Sequence, residues 1–167
     1  MRILVADDFL TMRRVLRALL GQMGFDEVVD VADGAAALDA LRGASAFDAV
    51  ITDIDMPIVS GFELLSSIKK DVRLRHLPVL MLAAEARKDE IVRCTQEGAA
   101  GYVVKPFTRA TLEERLQRAA PGLFAASNSA AQARLAAAHA SGLAITQPEA
   151  AAPAPSPPPG HRRPAGR

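Results

Sequence analysis

The sequence predicts an α/β fold in which a doubly wound, five-stranded parallel sheet carries helices on both faces. Its 167 residues are half apolar, which is enough for one well-filled core. Before residue 121, short apolar runs alternate five times with longer amphipathic stretches, a pattern typical of β-α units. The apolar runs are mostly continuous, as expected for strands covered on both faces. We therefore expect one domain over residues 1–120.

The predicted strands lie at residues 3–6, 28–29, 49–51, 79–82 and 102–104. The predicted helices lie at residues 11–23, 35–42, 61–70, 87–97 and 108–119. In the first helix, Arg13, Arg14 and Arg17 fall on the face predicted to be exposed. Five strands alternating with five helices predict parallel β-α-β units with right-handed crossovers and an open sheet. In such a sheet the chemistry belongs at the carboxyl ends of the strands.

The composition changes near Pro121. Eight of the eleven prolines lie at or beyond this residue, together with many alanines and serines. Such a segment buries too little apolar surface to offset its ordering entropy. We therefore predict an Ala/Pro-rich disordered tail over residues 121–167. Residues 1–120 hold 16 basic and 18 acidic side chains, a net charge of −2, so the tail holds the remaining +3 of the total of +1.

Charge and cysteine content exclude several function classes. The near-neutral chain lacks the basic excess that nucleic-acid binding needs. The lone Cys94 cannot form a disulfide within the chain, and no Cys/His cluster offers a zinc site. No apolar run suits a signal peptide or a membrane span. We expect a cytoplasmic monomer that neither binds nucleic acid nor inserts into a membrane.

Four charged residues follow predicted strands. Asp7 and Asp8 follow the first strand, Asp53 the third and Lys105 the fifth, so they would meet in one crevice. Crowded carboxylates hold a cation or show raised pKa values, and oxygen ligands alone favour Mg²⁺. Asp53 could then accept a phosphoryl group, with Lys105 offsetting its charge. The alternative for Asp7 and Asp8 is that they cap the first helix.

Several sequence blocks resemble the signature of response-regulator receiver domains, in the expected order and at the expected separations. They are VADDF at 5–9, TDIDMP at 52–57, Gly61, and GYVVKPF at 101–107. The resemblance covers residues 1 to about 120, and residues 8–14, 84–86 and 108–114 make it closest to the CheY family of chemotaxis regulators. It implies a flavodoxin-like receiver fold. It also implies that the protein is not an enzyme and that a CheA-like histidine kinase phosphorylates it on Asp53.

The resemblance also implies roles for individual residues. Asp8, Asp53 and the backbone carbonyl of Asp55 would bind Mg²⁺, and Asp7 would help through water. Lys105 would contact the phosphoryl group, and the peptide bond that follows it would be cis.

Two residues depart from the family pattern. The family normally ends its fourth strand with Ser or Thr, whose hydroxyl bonds the phosphoryl group, but the matching residue here is Ala83. Loss of that bond would remove about 1.5–3 kcal/mol from the phosphorylated state. The aromatic switch partner, Tyr102, is present, and Ala83 leaves it room to turn inward. Asp55 stands where chemotaxis regulators usually carry Asn, which would alter metal affinity and phosphate lifetime.

The resemblance further implies an output on the surface of the fourth helix, fifth strand and fifth helix. Its partner would be the flagellar motor switch protein, and phosphatases would approach near the first helix. The residues predicted to bind the partner are Ala86, Ile91, Tyr102, Val104, Phe107, Thr108 and Arg115. No output domain is recognisable after residue 120, so we expect a stand-alone regulator.

Three other functions stay open. Ala83 makes a phosphorelay shuttle or phosphate sink without conformational output credible. A structural adaptor that is never phosphorylated would leave the acidic residues idle. Asp53-x-Asp55 also resembles the nucleophile motif of haloacid-dehalogenase-type phosphatases, but that motif is expected after the first strand and before Thr or Val.

Overall fold

The structure is a computed structural model that describes residues 1–43 and 46–125. A parallel sheet of five strands has the order β2-β1-β3-β4-β5. The strands are β1 (Arg2–Ala6), β2 (Glu27–Val31), β3 (Ala49–Asp53), β4 (Val79–Ala83) and β5 (Gly101–Val104). The helices are α1 (Leu10–Gln22), α2 (Gly34–Arg42), α3 (Gly61–Lys70), α4 (Lys88–Gln96) and α5 (Arg109–Ala119). The predicted doubly wound fold is confirmed.

Alternate residues of the central strands fill two cores, one on each face of the sheet. Leu4 of β1 packs into the first core, where helices α2, α3 and α4 contribute side chains such as Leu41 and Ile68. Its neighbour Val5 packs into the second core, with Leu16 of α1 and with residues of α5. All five residues of β3 are buried, which explains the continuous apolar run in the sequence.

The strand register brings three chain segments to one edge of the sheet. Ala6 of β1 pairs with Thr52 of β3, so the residues that follow both strands lie side by side. Ala83 at the end of β4 pairs with Val104 at the end of β5. The loops after β1, β3 and β5 therefore surround one crevice, as expected for an open parallel sheet.

The second strand is longer than predicted. The sequence predicts only residues 28–29, whereas β2 spans Glu27–Val31. Because β2 is an edge strand, it accommodates the charged Glu27 and Asp30, which interrupt the apolar run.

The packed chain continues past residue 120, where the sequence predicts the domain to end. Residues 121–125 are helical, and Leu123 is only 3% exposed in the second core. The ring of Phe124 meets Phe25 edge-on at a centroid distance of 5.3 Å. The rest of the predicted tail, residues 126–167, lies outside the described part of the chain. Among the described helices, none is long and apolar enough to cross a bilayer.

Cys94 is a buried residue of α4 and packs in the first core. Burial, reinforced by the nearby Glu90 and Glu97, raises the pKa of its thiol to about 11. A thiol of this kind is inert at neutral pH.

Ile58, in the loop between β3 and α3, has an unfavourable backbone conformation. Its φ is 70°, in the left-handed region, and its side chain is 80% exposed. Left-handed backbone costs about 1–2 kcal/mol for an L-residue, and Asn tolerates it better than a β-branched residue. We expect Ile58→Asn to raise the free energy of unfolding by about 1 kcal/mol, measured by urea denaturation.

Val72 offers a matched control, because it is 73% exposed and does not have a positive φ. Val72→Asn should change the free energy of unfolding by less than about 0.5 kcal/mol. Equal changes in the free energy of unfolding for Ile58→Asn and Val72→Asn would contradict the inference that the backbone at Ile58 is strained.

Candidate functional site

The loop after β1 carries two acids in different environments. Asp7 is fully buried, and its backbone N–H donates to the carbonyl of Val31 at 3.2 Å. One carboxylate oxygen of Asp7 accepts from the Phe9 N–H at 2.9 Å. Asp8 is exposed. The N-cap residue of α1 is Phe9, so the alternative that Asp7 or Asp8 caps this helix is wrong.

Asp53 ends β3 and is 4% exposed. Its Oδ1 accepts from the Ile54 N–H at 3.0 Å, which fixes the orientation of the carboxylate. The Ile54 carbonyl in turn accepts from the Gly61 N–H at 2.9 Å, so the start of α3 closes over the end of β3. The site therefore presents Asp53 as a buried, oriented carboxylate.

Lys105 connects the two buried acids. Its backbone N–H donates to the Ala83 carbonyl at 2.8 Å, which continues the pairing of β4 and β5. Its Nζ lies 2.8 Å from Asp7 Oδ2 and 3.1 Å from Asp53 Oδ2. The peptide bond between Lys105 and Pro106 is cis, as the resemblance implies.

Carboxylate oxygens of Asp7, Asp8 and Asp53 all lie within 4.8 Å of one another. One ammonium group, that of Lys105, contacts two of these acids. The set is made only of oxygen donors, two buried and one exposed, and it fits a hard divalent cation such as Mg²⁺. The side chain of Asp55 is exposed and lies outside this group.

Burial and charge shift the pKa values of Asp53 and Lys105. Burial raises the pKa of the Asp53 carboxyl and the charge of Asp7 adds to the rise, while Lys105 opposes it. Burial lowers the pKa of Lys105, but its contacts with Asp7 and Asp53 outweigh burial and raise it overall. Lys105 is therefore a fixed positive charge at neutral pH.

Replacing Asp53 with Asn is expected to raise the free energy of unfolding of the metal-free protein at pH 7, by about 0.5–2 kcal/mol. The raised pKa means that the folded state binds the Asp53 proton more tightly than the unfolded state does. Stability is therefore lost as the pH rises from the unfolded pKa of about 3.9 through the raised folded value. Urea unfolding in EDTA between pH 4 and pH 8 measures this loss.

The difference in the free energy of unfolding between the Asp53→Asn variant and the parent should widen as the pH rises. Asp39→Asn, at an exposed acid of α2, is the control and should show no such trend. A less stable Asp53→Asn protein at pH 7 would contradict this account.

Arg13 has a role that the helical pattern of the sequence does not reveal. Its side chain is only 14% exposed, although it was predicted to lie on the exposed face of α1. Its Nη1 donates to the carbonyls of Asp7 at 2.8 Å and Asp8 at 3.3 Å. Its Nε donates to Asp30 Oδ2 of β2 at 3.1 Å. An arginine near an acidic pair was visible in the sequence, but its partner on the next strand was not.

The two predicted switch residues lie on adjacent strands. Ala83 is 1% exposed and supplies no side-chain donor. The half-buried ring of Tyr102 packs against the first core. Its hydroxyl donates to the backbone carbonyl of Glu85 in the loop after β4, at 2.6 Å. Tyr102 is thus bonded to the loop that follows Ala83 without a hydroxyl at position 83.

The predicted partner-binding residues lie on α4, β5 and α5 and in the loops that precede α4 and α5. Ala86, Ile91, Thr108 and Arg115 are exposed, and Tyr102, Val104 and Phe107 are half-buried. Two also have structural roles. The Thr108 side chain accepts from the Thr111 N–H and caps α5, and Phe107 packs against the second core.

Comparison with known proteins identifies the family. Residues 3–117 match the model of the response regulator receiver domain. The chain belongs to this family. The receiver is 48% identical over 118 residues to chemotaxis protein CheY-3 of Vibrio cholerae, a match that covers 71% of this chain and 90% of that protein. It is 46% identical over 118 residues to CheY of Pseudomonas aeruginosa, covering 71% and 94%.

Solved structures support the same assignment. CheY4 of Vibrio cholerae is 33% identical, with a TM-score of 0.66 over 71% of this chain and 97% of that one. The receiver domain of a sensor histidine kinase from Pseudomonas aeruginosa is 31% identical, with a TM-score of 0.65 over 72% and 97%, and has a magnesium ion in its active site cleft. This receiver is therefore a response regulator similar to the CheY proteins of chemotaxis.

The haloacid-dehalogenase alternative finds no support in the geometry. That hypothesis places the nucleophile motif after the first strand, whereas Asp53 ends β3 and Asp55 lies in the loop after it.

Proposed function

We propose that this receiver is a phosphorylation switch that takes a phosphoryl group from a CheA-like histidine kinase onto Asp53 and then controls the flagellar motor. The observation that carries the proposal is the buried Asp53 carboxylate held 3.1 Å from Lys105 Nζ within a group of three acids. The identity of 46–48% to chemotaxis CheY proteins supports the chemotaxis role.

The donor set suits Mg²⁺ as the cofactor. Asp8, Asp53 and the backbone carbonyl of Asp55 would hold the ion, with Asp7 acting through water. When bound, the ion would offset negative charge on the phosphoryl group. A related receiver domain with a coordinated magnesium ion supports this assignment.

The chain's own residues supply the remaining chemistry. One carboxylate oxygen of Asp53 forms the new bond to phosphorus while the bond from phosphorus to the histidine nitrogen breaks, and that nitrogen keeps the electron pair. Lys105 already carries a positive charge beside the carboxylate, so it can stabilise the added negative charge without rearranging. The protein is a stoichiometric acceptor in this step, not an enzyme.

The proposed output surface is formed by α4, β5 and α5. Its exposed Ile91 and half-buried Tyr102 and Val104 give it an apolar centre, and Arg115 adds a charged rim. Such a surface suits docking of an amphipathic helix of the motor switch protein. We place the protein in the cytoplasm as a monomer, with a phosphatase approaching near α1.

Ala83 favours a second candidate function, a phosphate sink or relay. Without a hydroxyl at this position, the phosphoryl group lacks one donor that would link it to the β4 end of the output surface. Phosphorylation could then proceed without a gain in partner affinity.

One experiment separates the candidates. The protein is treated with Mg²⁺ and beryllofluoride, a phosphoryl mimic, and its affinity for a motor-switch peptide is measured by calorimetry, with Asp53→Asn as control. A gain in affinity that needs Asp53 supports the motor switch. Phosphorylation by a small phosphodonor without that gain supports the sink, and absence of phosphorylation contradicts both.

Ala83→Ser provides a matched variant for the same measurement. If the missing hydroxyl limits coupling, the serine variant should show a larger gain in affinity than the parent. An unchanged gain would show that coupling does not depend on a hydroxyl at this position.

A further inference from the structure

Arg13 connects three parts of the protein around the acidic site, namely helix α1, the loop after β1 and the edge strand β2. Its guanidinium bonds the carbonyls of Asp7 and Asp8, and it is anchored to the Asp30 carboxylate on the edge strand β2. The pKa of Asp30 is lowered, chiefly by its bond with Arg17 and also by Arg13, so the anchor is ionised at neutral pH. The backbone of the acidic loop is thus tied to the sheet from the side of β2.

The helix itself does not use these two carbonyls. The first backbone bond of α1 runs from the Arg13 N–H to the carbonyl of Phe9, one residue after the acidic pair. Asp7 is fully buried, so its carbonyl needs a donor from the protein, and a charged donor makes a strong bond. The Arg13 side chain therefore donates to carbonyls that the backbone N–H groups of α1 do not reach.

Arg17 is a natural comparison within the same network. It also bonds Asp30, but its side chain is 55% exposed and its described contacts do not include the acidic loop. The two arginines thus share an anchor and a helix, and only one of them holds the loop that carries Asp7 and Asp8.

We propose that Arg13 is a positioning residue for the cation site. By holding the backbone of Asp7 and Asp8, it preorganises their carboxylates, and it thereby sets the affinity of the site for a divalent cation. Groups that orient metal ligands typically change metal affinity by 10–100-fold when they are removed. The proposal rests on the proposed function, because it assumes that the acidic group binds Mg²⁺.

The test is calorimetric titration of the full chain with MgCl₂, without any phosphodonor. Arg13→Met keeps the apolar stem and removes the donors, and we expect it to weaken Mg²⁺ binding by about tenfold. Arg17→Met is the matched control and should stay within about twofold of the parent. Arg13→Lys, which can make only part of the network, should fall between Arg13→Met and the parent.

Asp30→Asn tests the same idea without touching the loop. Because Asp30 acts through Arg13, the double variant Arg13→Met/Asp30→Asn should bind Mg²⁺ as weakly as Arg13→Met alone. Asp30→Asn by itself should weaken binding while Arg17→Met does not, and this comparison holds even if Arg13→Met fails to fold.

A purely structural role would lower the thermal stability of Arg13→Met and leave the Mg²⁺ affinity of the folded protein unchanged, which would overturn the proposal. Equal losses of affinity in Arg13→Met and Arg17→Met would also overturn it. Absence of Mg²⁺ binding by the parent would overturn the proposed function and this inference together, whereas parent-like binding by Arg13→Met would overturn the inference alone.

Discussion

Replacing Lys105 with Gln is expected to slow phosphorylation of Asp53 by about 10²–10³-fold, the usual cost of removing a donor that stabilises developing charge. The Nζ of Lys105 lies within 3.1 Å of Asp53 Oδ2 and 2.8 Å of Asp7 Oδ2. Glutamine removes the positive charge and shortens the reach to both acids. The rate of transfer from a small phosphodonor, followed by intact-protein mass spectrometry, measures the effect.

The same substitution is expected to lower stability, because two buried carboxylates lose their shared cation. Breaking a buried ion pair costs up to about 3–5 kcal/mol, and Lys105 retains 17% exposure, so we expect about 2–3 kcal/mol. The pKa of Asp53, already raised by burial, should rise further, because Lys105 is the main group that opposes the rise.

Lys105→Arg separates the two effects. It keeps the charge, so it should recover most of the stability, but its planar guanidinium cannot occupy the place of an ammonium group, so phosphorylation should stay slow. Lys88→Gln, at an exposed lysine of α4, is the control for loss of charge elsewhere. If Lys105→Gln accepted phosphoryl at the parent rate, Lys105 would not be part of the acceptor site.

The central part of this site could be predicted because it follows from topology. In a parallel sheet, residues that follow strands meet at one edge, so Asp7, Asp53 and Lys105 could be placed together from sequence spacing alone. The apolar runs that define β1, β3 and β4 are continuous because both faces of the sheet are covered. The predicted strands and the site therefore rest on the same pattern.

Contacts made by side chains between elements could not be predicted in this way. Helical periodicity places Arg13 on the polar side of α1, but it does not reveal that Asp30, 17 residues away, lies within reach. Asp30 was itself obscured, because charged residues in an edge strand break the apolar pattern that marks a strand. The link between acidic loop and edge strand thus depends on two residues that each look ordinary in the sequence.

The end of the domain was misplaced for a different reason. Pro121 and the alanines after it give this segment the composition of a tail. That average composition hides two apolar residues that pack against the rest of the domain. Leu123 is buried and Phe124 contacts Phe25, so one further helical turn belongs to the fold. Pro is well suited to the first turn of such a helix, since its missing N–H is not needed there.

Gly61→Ala is expected to lower the free energy of unfolding by about 3 kcal/mol and to abolish phosphorylation of Asp53. A Cβ at position 61 would clash with the backbone carbonyl of Asp53 and lie 2.9 Å from the Cα of Ile54. These are backbone atoms of the site, so they cannot move aside without displacing Asp53, the proposed phosphoacceptor. Urea denaturation and the phosphorylation assay measure the two effects.

Gly21→Ala is the matched control, because a Cβ at this position of α1 meets nothing within 4 Å. There the loss of glycine should stabilise the helix by about 0.5–1 kcal/mol and leave phosphorylation unchanged. The opposite signs separate close packing at the site from the general effect of adding a methyl group to a helix. A Gly61→Ala protein with parental stability and phosphorylation would show that the start of α3 can move away from β3, and the close packing of α3 on Asp53 would then not be what positions the acceptor.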